Sequence, residues 1–204
     1  MDAFNLLKAD HRKVEKLFAQ LESASGGEAK KRVFEQIKTE LELHTHIEET
    51  IFYPATEEPK QTHDLTLEAY EEHNVVKKLL QELSRAKSPN EEWEAKAKVL
   101  QENVEHHVEE EENELFPKAS SALSTEEIET LGEEMEAEKE RMQKRGSKAA
   151  SKKSSAKKSA SKTKSASTGQ QRARVSKKSS SKSSSKASGT KQSRSKKSAK
   201  KSRR

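Results

Sequence analysis

The chain has 204 residues, with 41 Lys or Arg against 35 Asp or Glu and a mean hydropathy of −1.15. The charge is split: 21 of the basic residues lie in 146–204, which has no Asp or Glu, whereas residues 1–145 hold 20 basic against 35 acidic groups, a net of −15. With no cysteine, disulfides and thiolate metal ligation are excluded, and with no apolar run long enough for a secretory leader or a membrane span the expectation is a soluble, cytoplasmic protein.

Hydrophobic periodicity predicts helices throughout the acidic part. Phe4, Leu7, His11, Val14, Phe18 and Leu21 recur at steps of three and four, one helical face, which ends at Ser25-Gly26-Gly27. A second stripe runs through Phe34, Ile37, Leu41, His44, Glu48 and Ile51 to Pro54. A third holds Ala69, His73, Val76, Leu80 and Leu83. The fourth holds Trp93, Ala97, Leu100, Val104, His107, Glu111 and Leu115 and reaches Pro117. Prolines 54 and 117 are expected to stop their helices. Ser124-Thr-Glu-Glu127 has the residues of a capping box, so a short fifth helix with Ile128, Leu131 and Met135 inward is expected. No window alternates in the manner of a strand. The predicted fold is all-α, an up-down-up-down four-helix bundle over 1–145, followed by a disordered basic tail over 146–204.

The first 120 residues carry one pattern twice. His44-Thr-His-Ile-Glu48-Glu-Thr-Ile-Phe-Tyr-Pro54 is matched by His107-Val-Glu-Glu-Glu111-Glu-Asn-Glu-Leu-Phe-Pro117, and Asp10-His11 upstream is echoed by Glu72-His73. Histidine and glutamate four apart project from one helix face, so each copy offers a nitrogen and an oxygen to the interior, joined by His11 and His73 on the other two stripes. Two glutamates on buried faces are hard to explain without a cation. An ionised carboxylate in a core is very costly, and the whole fold is stable by only roughly 5–15 kcal/mol. Six ligands in two sets exceed the four of a tetrahedral ion and suit two cations. Imidazole and carboxylate without sulfur fit iron, manganese or zinc.

The order of the motif separates this chain from the ferritin-like bundles, which use Glu-x-x-His. None of the seven histidines here has glutamate three residues before it. Histidine first, glutamate four later and then Phe-Tyr-Pro or Leu-Phe-Pro resembles the hemerythrin HHE cation-binding domain family, over about residues 3–120. The resemblance implies a non-haem di-iron centre held by His11, His44, Glu48, His73, His107 and Glu111. Oxygen-carrying members place a further histidine where this chain has Lys77, which leaves one iron short of a nitrogen ligand. Related proteins handle iron, oxygen, nitric oxide or peroxide. Three functions stay open: a protein that binds oxygen or a related small ligand or sequesters or senses iron, a di-iron enzyme that removes peroxide or nitric oxide, and an architectural protein whose bundle is only a scaffold. His46, His63 and His106 read as surface groups or as groups just outside the ligand set, and Glu109, Glu110 and Glu112 as a solvated face. Glu15 is expected in solvent, Trp93 in the core, and Phe52, Tyr53 and Phe116 as a wall at one end of the site.

The Lys, Ser and Ala composition of 146–204 resembles the basic tails of linker histones and histone-like bacterial proteins. Clustered cations bind phosphate backbones by counterion release, and without aromatics there is no platform for stacking bases. Nonspecific nucleic-acid binding, and with it association with the nucleoid, is the expectation favoured over a solubility tail, a tether to anionic membrane, or docking on the chain's own acidic part.

Overall fold

In the computed structural model the described backbone covers residues 1–164, with side chains described as far as Arg145. The chain divides into two units, Met1–Ala156 and Lys157–Arg204. The first is an all-α, up-down-up-down bundle built from α1 (Ala3–Ser23), α2 (Gly27–Ile47), α4 (His63–Arg85) and α5 (Glu91–Glu110). Short helices α3 (Tyr53–Glu57) and α6 (Phe116–Ala122) extend α2 and α5 beyond π-helical turns, and α7 (Thr125–Lys164) follows. The described residues contain no strand.

Local chemistry sets the boundaries. Asp2 caps α1 by accepting from the Asn5 N–H at 2.9 Å, and Asn90 caps α5 by accepting from the Trp93 N–H at the same distance. Gly26, at φ +84°, turns the chain between α1 and α2 in a conformation that favours glycine. The capping box expected at α7 is present: the Ser124 N–H donates to Glu127 and the Glu127 N–H to the Ser124 hydroxyl.

Two sequence expectations are corrected. Pro54 and Pro117 do not stop their helices. The backbone widens into π turns over Glu48–Phe52 and Glu111–Leu115, where the Tyr53 and Phe116 N–H groups reach back five residues to the carbonyls of Glu48 and Glu111. The extra residue spreads the chain where each proline ring would press on the preceding turn. The fifth helix is not short either. It runs 40 residues, and 146–164, expected to be disordered, continue it as helix. Only Gly146 interrupts a stretch of Ser, Lys, Ala and Thr that otherwise lacks breakers, and Ala and Lys are good helix formers. The expectation of disorder for 165–204 lies outside the described residues.

The core comes in two parts. One apolar cluster, with Phe18, Phe34, Ile37, Leu80, Trp93 and Leu100 at its centre, fills the end near the α1–α2 and α4–α5 connections. The other gathers Leu7, Ile47, Phe52, Tyr53, Leu115, Phe116 and Met135 under α7. Trp93 is the anchor expected, edge-on to Phe34 and donating its indole N–H to the Leu83 carbonyl. Gly132 lets α7 close on the start of α1, since a β-carbon there would collide with the Met1 carbonyl and the backbone at Asp2 and Ala3. Between the two apolar clusters lies a layer of buried polar side chains.

Candidate metal centre

All six residues singled out by the repeat fall in that layer. His11, His44, His73 and His107 are at most 4% exposed, Glu48 is fully buried and Glu111 is 2% exposed. His44 Nε2 lies 3.1 Å from Glu48 Oε2, and His73 Nε2 lies 3.3 Å from the same oxygen. Glu111 Oε2 faces His11 Nε2 at 3.4 Å and His107 Nε2 at 3.7 Å. The ligand atoms form two compact groups, His11 with His44, Glu48 and Glu111, and Glu48 with His73 and His107. Glu48 belongs to both.

The π turns explain why a tyrosine joins them. In a regular helix a residue five after the glutamate would point about 140° away. The wider turn brings Tyr53 and Phe116 onto the glutamates' face. The Tyr53 hydroxyl donates to Glu111 Oε1 at 3.0 Å and lies 3.2 Å from His73 Nε2. Phe116, its counterpart, stacks on the His11 ring at 6.1 Å between centroids. Both aromatics wall off the end expected.

Outside the six lies a layer the sequence reading missed. The Nδ1 atoms of three histidines bond carboxylates: His11 to Glu112 at 2.8 Å, His73 to Glu49 at 3.0 Å and His107 to Glu72 at 2.7 Å. His44 Nδ1 faces Asp10 at 3.8 Å, an ion-pair distance too long for a hydrogen bond. Each carboxylate is backed in turn by a cation or histidine: Glu112 by Arg12, Glu49 by Lys77, Asp10 by Lys139, and Glu72 by His106 at 3.7 Å. Glu112 is therefore not part of a solvated face, and Lys77 positions Glu49 instead of leaving a gap. Glu15, as expected, stays in solvent, paired with Arg12. His46 pairs with Glu138 on α7, and His63 holds the Glu57 carbonyl. The signal was in the repeat: an acid precedes His11 and His73, and an acid follows Glu48 and Glu111.

The electrostatics are those of a layer that requires positive charge. Burial, with the charge of Glu111 next to it, pushes the Glu48 carboxyl well above the usual carboxylate range. Burial also pushes Glu111 up, but His107 and His11 outweigh it and hold that carboxyl well below the range. Burial takes the His44 imidazole down to about 4, against the pull of Asp10. Burial lowers His11 and His107 too, yet the glutamates, Glu111 foremost, raise both. Two adjacent buried carboxyls ionise together only with a cation between them. Both oxygens of Glu48, Glu111 Oε2, His11 Nε2 and His44 Nδ1 are buried without any hydrogen-bond partner. Such atoms are rare in native proteins, and all five belong to residues of the ligand groups, so the residues fit a bound metal.

A four-helix bundle with a buried, sulfur-free cluster of imidazoles and carboxylates at mid-height is a cation-binding bundle. The hemerythrin HHE cation-binding domain family matches residues 2–119, and the chain belongs to it. A hemerythrin HHE cation-binding domain-containing protein of Mycobacterium kansasii has a similar structure, with a TM-score of 0.62 and 27% identity, over 69% of this chain and 86% of that one. A Nostoc sp. protein named DNA nickase is 30% identical over 141 residues, 69% of this chain but only 40% of its own length. Among the described residues no helix is long and apolar enough to cross a membrane.

Proposed function

We propose that His11, His44, Glu48, His73, His107 and Glu111 hold two metal ions, a non-haem di-iron centre, at which oxygen or a related small ligand binds. The observation that carries this is the pair of ligand groups sharing Glu48, with five buried atoms on their residues lacking any hydrogen-bond partner. When bound, iron supplies redox and Lewis-acid chemistry that no side chain here offers. The chain's own residues do the rest. The outer carboxylates fix which nitrogen of each imidazole faces inward, a role such partners commonly play. On the side opposite Tyr53 the four histidines roof a cavity of ≈ 10 Å³, room for about one water-sized molecule. Its other walls are Val14, Leu41, Thr45, Val76, Val104 and Val108. A space so small and apolar favours a small uncharged ligand over water. The direct test is titration of the reduced, iron-loaded protein with oxygen or nitric oxide, followed by absorption. A saturable spectral change is expected, and none with either gas removes the proposal.

A second use of the same centre, removal of peroxide, is favoured by the Tyr53 hydroxyl, a proton donor already aimed at Glu111. Turnover of peroxide that falls in Tyr53→Phe while metal content stays the same would support an enzyme. No turnover in the iron-loaded protein leaves the binder.

The basic segment 146–204 is the proposed tether to nucleic acid, placing a cytoplasmic protein at the nucleoid. Its 21 cations without one acid support this, as does a Nostoc relative whose name assigns it DNA. Because the chain spans 40% of that relative, nicking is not carried over. Binding through about eight phosphates would give a log–log salt slope near −7 on duplex DNA. Truncation after Arg145 should abolish retention on DNA at moderate salt, and unchanged retention would remove the tether.

A further inference from the structure

We propose that the small ligand reaches the centre through the seam between α1 and α5, past Val14, Val104 and Val108. The inference rests on the small-ligand function above and adds the route. Two voids lie on either side of these valines. The inner one is the cavity under the four histidines. The outer one is a surface groove of ≈ 380 Å³ between α1 and α5, whose rim carries Arg12, Glu15, Glu109 and Glu112. Val14, Val104 and Val108 line both. Every other residue lining the inner cavity is buried, and Val108 alone is partly exposed. The opposite end is shut by Phe52 and Tyr53, both fully buried, and by Phe116 at 3% exposure.

Valine in a helix keeps largely to one rotamer, so the wall opens by a small separation of the two helices and not by side-chain rotation. The groove is spanned by a clasp at that place: Arg12 on α1 donates to both oxygens of Glu112, at 2.7 and 2.9 Å. Arg12 is 53% exposed while Glu112 is 16% exposed and held by His11, so it is the arginine side of the clasp that faces solvent and swings away. A dry wall of three methyl-bearing side chains passes diatomic gases and hinders hydrated ions. The route therefore also selects what reaches the metals.

The test is stopped-flow binding of nitric oxide to the reduced, iron-loaded full-length protein. Val108→Phe is expected to slow association and dissociation each at least about tenfold, since a passage affects both directions. Val108→Ala should speed both. Val99→Phe, on an exposed position of the same helix (45%), serves as control and should change neither. Iron content and the resting absorption spectrum should match the wild type in all three. A Val108→Phe protein with normal iron content and wild-type rates overturns the route while leaving the centre's function intact. Wild-type protein that holds iron but binds neither nitric oxide nor oxygen overturns the ligand-binding function and the passage with it.

Discussion

The two halves of the repeat share a backbone and differ in their charges. Each carries histidine, glutamate four residues later, and a π turn that delivers an aromatic ring to the same face. Yet Glu48 is pushed toward its neutral form and Glu111 toward its charged one. His44 stays neutral, with Asp10 at 3.8 Å, while His107 is raised, with Glu72 at 2.7 Å. One half ends in Tyr53, which donates a hydrogen bond to the other half's glutamate, and the other ends in Phe116, which donates nothing. The spacing of the repeat thus fixes geometry, and groups outside the repeated motif set the charge. Two like motifs therefore present two unlike groups of candidate ligands.

The sharpest way to break this comparison is at the glutamates. Because Glu48 serves both ligand groups and Glu111 only one, Glu48→Gln should lose both cations while Glu111→Gln loses mainly one. Elemental analysis of the purified variants reads the difference, and equal losses would make the halves equivalent. The outer carboxylates come next. Glu72→Gln should weaken metal affinity about 10–100-fold, and Asp10→Asn less, since it holds its histidine from a longer distance. Competition with a chelator measures both.

The fifth helix offers a gentler test, because its described ion pairs to the bundle go to the first half. α7 supplies Lys139 to Asp10 and Glu138 to His46. Gly132→Ala should unseat it at a cost of about 1–3 kcal/mol, read as a lowered midpoint of thermal unfolding. Metal loss in that variant should begin at the His44 position. The smallest effect concerns protons. Burial and the neighbouring Glu111 push the Glu48 carboxyl well above the usual carboxylate range, and a metal needs the carboxylate, so metal binding is coupled to proton release. Calorimetry in buffers of different ionisation enthalpy should show protons released on binding, increasingly so as the pH is lowered. Glu48→Gln should release fewer.

Much of this was legible in the sequence. The six inward groups were fixed by two periodicities at once, the helical stripe and the 62- to 63-residue repeat, and all six meet in one layer. What stayed hidden had physical reasons. Asp10 and Glu72 sit one position off the buried stripe, where an acid usually means solvent, and only the packing of α1 on α2 and of α4 on α5 brings them to the histidines of the neighbouring helix. Glu49 and Glu112 reach across to the opposite half, a relation no local pattern encodes. Proline usually marks a helix end, and a π turn that absorbs it has no comparable sequence signal. Lys77, missing a histidine's nitrogen, looked like a defect until its contact with Glu49 gave it a part in holding His73.

The central claim is that both copies of the motif contribute ligands to one pair of cations. Metal content of the native, aerobically purified protein, measured beside His44→Ala and His107→Ala, tests it most directly. Two metal ions per chain in the native protein are expected, with a near-ultraviolet ferric absorption that bleaches on reduction, and each variant, drawn from a different half, should lose metal. Native protein without bound metal, or variants that keep a full complement, would contradict it.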